Sequence, residues 1–217
     1  MKYKLVAFWL VVFGALFAFL QTRFEYHFYY IEQSQLFLFS EAYIRNKLVL
    51  PGGFSMLVAE FFVQFFIRPY VGALVTAALL TGVGICTAGI VKRIASASGL
   101  FILYVQPMLA LLFMHFDFNY RVQGTVCYLM MTALLCGYIR IRNDLFRLVA
   151  GCVLVPVLFW LAGSIAVLFA GMICLFEGLR KTPKWYISLI GVAEVFCTLI
   201  IIYKRREYIL RTSLLLF

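Results

Sequence analysis

The chain has 217 residues, of which 65% are hydrophobic and only 13% are charged, and its mean hydropathy is +1.00. A soluble domain carries roughly 25% charged residues, so water is excluded as the solvent for most of this surface. The net charge of +10 would suit a nucleic-acid partner if it formed one patch. The cations instead stand in short clusters at the ends of apolar runs, where interfacial anchoring and the positive-inside rule put them, so the expected partner is the lipid bilayer and not nucleic acid.

Apolar runs without strand alternation argue against an outer-membrane barrel. They predict an all-α, polytopic transmembrane bundle of about six or seven membrane helices, a full span needing about 20 apolar residues. The six cysteines all lie inside apolar runs, with no CxxC and no neighbouring histidine. They are expected to pack as small apolar side chains and to form no disulfide or zinc framework.

Two lysines precede the apolar run Leu5 to Leu20, which exits through AFLQTRF without a small-x-small cleavage site. This predicts an uncleaved first span with a cytoplasmic N-terminus. The next stretch, Thr22 to Pro69, holds four of the nine acidic residues and one of the two histidines between two apolar runs. It is expected to face outward. Tyr26 to Lys47 is too polar to span and rich in Phe and Tyr, which suits a helix lying in the interface. Pro51-Gly52-Gly53 is a breaker. Phe54 to Ile67 carries a Glu60, Gln64, Arg68 stripe and is short for a span, predicting a second interfacial or re-entrant helix.

Tyr70 to Val91 is a full span closed by Lys92 and Arg93. Leu100 to Met114 returns the chain outward at HFDFNYR, and Val122 to Tyr138 leads back to the basic RIRNDLFR segment. As one helix, Leu148 to Phe176 would measure about 44 Å, too long for a core of about 30 Å without strong tilt. A hairpin split at Gly163-Ser164 is expected. Trp185 to Tyr203 makes a last span, with Glu194 at its middle, where a charge is costly and is paired, protonated or functional. The chain is expected to form one transmembrane domain, 1–217, as the N-terminal part of a longer protein.

Candidate chemistry gathers on the outward side. Glu25, Glu32, Glu41, Glu60 and Asp117 are the acids there, beside His27, His115, Asn119 and Arg121. Glu25 and Glu32 share a helix face, with Gln35 near the next turn. Carboxylates on two outward loops suit a divalent cation bound through oxygen ligands, or a general base with a pKa raised by partial burial. They suit equally well ordinary polar side chains facing headgroups, and no spacing among them is diagnostic. No P-loop, GxGxxG or GxSxG is present.

The segments EQSQLFLFSEAY (Glu32 to Tyr43), PGG (Pro51 to Gly53) and QFF (Gln64 to Phe66) resemble an uncharacterised family of large bacterial inner-membrane proteins. The resemblance is clearest from Tyr29 to Gly72, with LAG (Leu161 to Gly163) as a weaker echo. It implies one opening span, the long loop and several further spans, and it supplies no activity.

In architecture the chain is also similar to GT-C-class glycosyltransferases, which use polyprenyl-phosphate-linked sugars. That class has a cytoplasmic N-terminus, one span and a large outward loop with two membrane-parallel helices. It carries one acid just after the first span and another between spans three and four. Glu25 and Asp117 fall at those positions, although the class more often has an Asp, in an acidic pair, where Glu25 stands alone. The resemblance implies a module at the outer face of the inner membrane acting on lipid-linked sugar. Glu25 would activate the acceptor or bind metal, and Asp117 would support it. Arg121, with Arg45 or Lys47, would hold the lipid phosphate through charge-assisted hydrogen bonds, for which guanidinium is well shaped. Glu32, Gln35, Glu60 and Gln64 would line the substrate side. The alternatives are a transporter or flippase whose pathway uses Glu194 and the broken Leu148 to Phe176 segment, or a non-catalytic envelope assembly protein.

Overall fold

A computed structural model of the chain describes residues 2–94 and 101–180. Among them there are nine helices and no strand: α1 (Lys2–Arg23), α2 (Glu25–Ser34), α3 (Glu41–Leu48), α4 (Gly53–Val63), α5 (Val71–Ile94), α6 (Phe101–Met114), α7 (Val122–Arg140), α8 (Asp144–Ala162) and α9 (Ile165–Arg180). Four helices are long and apolar enough to cross a membrane: Leu5–Arg23 of α1, Val71–Ile94, Val122–Arg140 and Asp144–Ala162. Two others, α6 with 14 residues and α9 with 16, rise only about 21 and 24 Å. The expected last span, 185–203, lies outside the described residues together with Glu194.

Helix α5 is the hub, touching α1, α2, α6 and α7. Ala73, Ala77 and Ala88 are buried on it, and such small residues let helix backbones approach closely where lipid offers no hydrophobic drive for association. One core lies toward the loop and joins Leu20, Phe28, Val63, Phe66, Ala77 and Val122. A second joins Leu135, Tyr138, Leu158, Phe169 and Ile173 of α7, α8 and α9. Helix α7 contributes to both cores and so couples the two halves.

The expected hairpin is present. Helix α8 ends at Ala162, Gly163 closes it at φ 71°, and α9 folds back against α8. The loop differs from expectation in having three helices where two were predicted. The Tyr26 to Lys47 segment breaks over 35–40 because Ser40 caps α3, its Oγ accepting from the Tyr43 N–H at 3.2 Å, a preferred use of serine. Helix α4, with 11 residues, is shorter than a full crossing. It packs on α3, α7 and α8 and buries Ser55, Leu57, Ala59, Glu60 and Val63. Of its polar stripe, Glu60 is matched from within the protein by Lys47 and Tyr43.

Candidate functional site

The loop end of the bundle is built on three polar joints. At the first, the PGG turn docks on the α8–α9 turn. The Gly52 N–H donates to the Trp160 carbonyl at 2.9 Å, and Ser55 Oγ donates to the Gly52 carbonyl at 2.7 Å. Cys127 Sγ lies 3.2 Å from Ser55 Oγ, and Gln123 reaches Gly52 and Ser55 at 3.4 Å each. At the second, Lys47 Nζ pairs with Glu60 Oε1 at 3.0 Å while Tyr43 donates a short hydrogen bond to Glu60 Oε2. Burial and the Glu60 carboxylate push the Tyr43 phenol up to about 12, so it serves as a donor throughout the physiological range.

The third joint connects α2 to the turn after α6. Phe24 stacks on Phe116 with ring centroids 5.1 Å apart, and the His27 ring meets Phe118 at 4.8 Å. His115 is buried, with Nε2 2.9 Å from Thr125 Oγ1, and Tyr120 contacts the same hydroxyl at 3.2 Å. His27 is also buried, and its Nε2 has no hydrogen-bond partner among the described residues. Burial lowers the His27 pKa, with Asp117 opposing it. Burial, and then the nearby His27, bring His115 down to about 4.

A pH dependence follows from His115. Above about pH 7.5 its imidazole is neutral in folded and unfolded chains alike, so stability there does not depend on it. As pH falls toward the folded value, the unfolded chain takes up a proton that the folded chain refuses, and stability is lost. Between pH 7 and 5 this amounts to about 2 kcal/mol. The unfolding midpoint in detergent is expected to fall over that interval, and His115→Gln is expected to flatten the fall. An equal slope in the variant would show that other groups carry it.

The residues singled out from sequence are distributed over the loop end of the bundle. Glu25 is exposed and borders a crevice of only about 10 Å³ with Phe66, Arg68 and Tyr70. Asp117 is exposed in the turn after α6, near His27, and its Oδ1 accepts from the Asn119 N–H at 2.9 Å. The third joint thus brings the two loops together through His27 and the phenylalanines, whereas Glu25 turns toward the start of α5. Glu32 and Gln35 are half-buried at the end of α2, and Gln64 is the half-buried C-cap of α4. Glu60 is committed to Lys47 and Tyr43. No group of three or more His, Cys, Asp or Glu side chains arranged to hold a metal ion occurs among the described residues.

Two cavities at this end combine one arginine with apolar walls. The first, about 580 Å³, is lined by Tyr120, Arg121, Gln123, Ile165, Val167 and Leu168. Arg121 caps the start of α7, is exposed and has no acidic partner among the described residues. The second, about 730 Å³, is lined by Phe39, Ile44, Arg45, Leu48 and Trp160, with Glu41 at its side. Both volumes fall in the usual range of small-molecule sites, roughly 300–1,000 Å³.

Sequence reasoning missed a further polar group, at the opposite end of the bundle. Arg147 and Glu177 are 2% and 1% exposed and are bonded Nε to Oε1 at 2.5 Å and Nη2 to Oε2 at 3.2 Å. Arg147 also meets Asp144 at 2.7 Å and the Ile141 carbonyl at 3.3 Å, while Tyr138 donates to Glu177 at 3.0 Å.

Over residues 1–217 the chain matches the family described as "Family of unknown function (DUF6057)", and it belongs to that family. No curated protein and no solved structure matches it.

Proposed function

We propose that this member of a family of unknown function is an integral membrane protein that holds the phosphate end of a long-chain lipid, such as a polyprenyl-phosphate-linked sugar, at the loop end of its bundle. The observation behind this reading is the cavity bordered by Arg121. A guanidinium at the start of α7 meets the partial positive charge of the helix N-terminus there, a combination that favours a phosphate oxygen. Ile165, Val167 and Leu168 supply the apolar wall against which a hydrocarbon chain would lie. The Arg45 and Trp160 cavity offers a second surface of the same kind. In this reading Asp117, in the turn that leads to Arg121, and Glu25, on the adjacent helix, are the acids available to activate an acceptor or to hold a divalent cation.

The test is binding of undecaprenyl phosphate to the purified protein in detergent, followed by native mass spectrometry. Arg121→Ala is expected to weaken binding at least tenfold, about 1.4 kcal/mol, with Arg45→Ala having the smaller effect. Wild-type binding by Arg121→Ala would overturn the reading. Glu25→Ala and Asp117→Ala are expected to bind the lipid normally, and any sugar transfer to an acceptor is expected to be lost in them. Transfer undiminished in both variants would remove their proposed role and leave lipid binding alone.

A further inference from the structure

A third cavity lies at the end of the bundle away from the loop, where α5, α7 and α9 finish. It measures about 340 Å³ and is lined by Arg93, Arg140, Arg142 and Arg180, with Ile139 and Phe176 among its apolar walls. Four guanidiniums from three helices and one connecting segment therefore face a single opening. No acidic side chain lines it among the described residues.

Charge pairing does not account for this arrangement. Asp144 is held by Arg147 at 2.7 Å and reaches Arg180 only at 3.8 Å, and Glu177 is taken up by Arg147 and Tyr138. Arg93, Arg140 and Arg142 have no acidic partner among the described residues. The last turns of α5, α7 and α9 carry Arg93, Arg140 and Arg180, and basic residues offset the negative ends of helix dipoles. Each helix end amounts to roughly half a negative charge, so three of them leave the four arginines in clear excess. Like charges gathered around one opening repel, and a phosphate is the group that relieves that repulsion with paired, bidentate hydrogen bonds. Ile94 and Leu179 at the rim are exposed, which places an apolar edge beside the cationic opening. Because α5 and α7 are long enough to cross a membrane, their ends stand at headgroup depth.

We infer that the cleft framed by Arg93, Arg140, Arg142 and Arg180 is a phosphate-binding site whose ligand is a phosphate-bearing headgroup or a soluble phosphate compound. The site is at the opposite end from the Arg121 cavity and does not depend on the reading given to that cavity.

The experiment uses the full chain in nanodiscs of phosphatidylcholine alone or with phosphatidic acid, and separately in detergent with inorganic phosphate. The unfolding midpoint and retained lipid are read in each. Phosphatidic acid is expected to raise the midpoint and to co-purify with the protein, and Arg140→Gln with Arg142→Gln is expected to weaken retention at least tenfold. Stabilisation by inorganic phosphate as well would assign a soluble ligand to the same site, whereas stabilisation by the lipid alone would assign the headgroup. Arg140→Lys with Arg142→Lys keeps the charge and the fold but loses the planar fork, so retention is expected to fall between wild type and the glutamine pair. Equal retention in all three proteins overturns the proposal. An equal loss in Arg23→Gln with Arg68→Gln, two arginines at the loop end, also overturns it, because net charge alone would then be responsible.

Discussion

Replacing Glu177 with alanine is expected to cost about 3–5 kcal/mol of folding stability, the usual result of stripping one partner from a buried ion pair. Arg147 would keep its contacts with Asp144 at 2.7 Å and with the Ile141 carbonyl at 3.3 Å but would lose both bonds to the Glu177 carboxylate. Its guanidinium is 2% exposed and Asp144 is 57% exposed, so the remaining partner is largely solvated and a weak counter-charge. Against a total stability of roughly 5–15 kcal/mol, such a loss is expected to leave little folded protein at 37 °C. Denaturation in mixed micelles would measure it.

The neighbouring variants give a ranking that a general sensitivity of α9 would not produce. Tyr138→Phe removes one donor to Glu177 and is expected to cost about 1–2 kcal/mol. Asp144→Asn, at an exposed carboxylate, is expected to cost under about 1 kcal/mol. The double change Arg147→Met with Glu177→Leu removes both charges and is expected to be milder than Glu177→Ala alone, since a buried pair replaced by apolar groups of similar size often loses little. A double variant as unstable as Glu177→Ala would show that packing at this site, and not charge pairing, sets the cost.

The long-range order of this molecule was legible in the sequence wherever it followed from hydropathy and breakers. Spans over 71–94 and 122–140, the PGG turn and the split at Gly163 follow from run lengths and glycines, because lipid solvent punishes unpaired backbone so heavily that few alternatives survive. Side-chain pairing across helices was not legible from local pattern. Arg147 looks like one more anchoring cation of RIRNDLFR, and Glu177 looks like a stray acid beyond an apolar run. One signal was available: Arg147 lies sixteen residues before Gly163 and Glu177 fourteen after it. In a hairpin these rise about 24 and 21 Å from the turn, so the two charges come level. The partners of Glu60 were hidden for a related reason. It stands in a stripe with Gln64 and Arg68 that marks an interfacial or re-entrant helix, whereas Lys47 and Tyr43 arrive from α3 only after the chain reverses at Pro51. The contact between the start of α2 and the turn holding Asp117 runs through the Phe24–Phe116 stack, and aromatic packing leaves no spacing rule in sequence.

Gly53→Ala is expected to be the most damaging of the small substitutions in the loop. A Cβ on Gly53 would sit 1.8 Å from the Lys47 carbonyl oxygen and 2.6 Å from its carbon. Both are backbone atoms, so no rotamer change relieves the overlap, and α3 must move off α4. Overpacking of this kind costs about 3 kcal/mol at the upper end of its usual range, and the displacement also pulls Lys47 and Tyr43 away from Glu60. Gly52→Ala meets a different obstacle: φ is 79° there, and its Cβ would lie 3.2 Å from the Gly163 nitrogen. The left-handed conformation alone costs an alanine about 1–2 kcal/mol. Gly171, in α9 with nothing within 4 Å of a Cβ, is the control, and Gly171→Ala is expected to stabilise by about 0.5–1 kcal/mol because alanine is the better helix former. Comparison of the three midpoints separates steric closure of the joint from glycine replacement in general. The same joint carries Trp160 and the end of α3, which wall the Arg45 cavity, so Gly53→Ala at a temperature where it remains folded is expected to lose the Arg45 share of lipid binding while keeping the Arg121 share. Loss of neither would mean that the PGG turn maintains only the fold, and loss of both would mean that it positions the whole loop end.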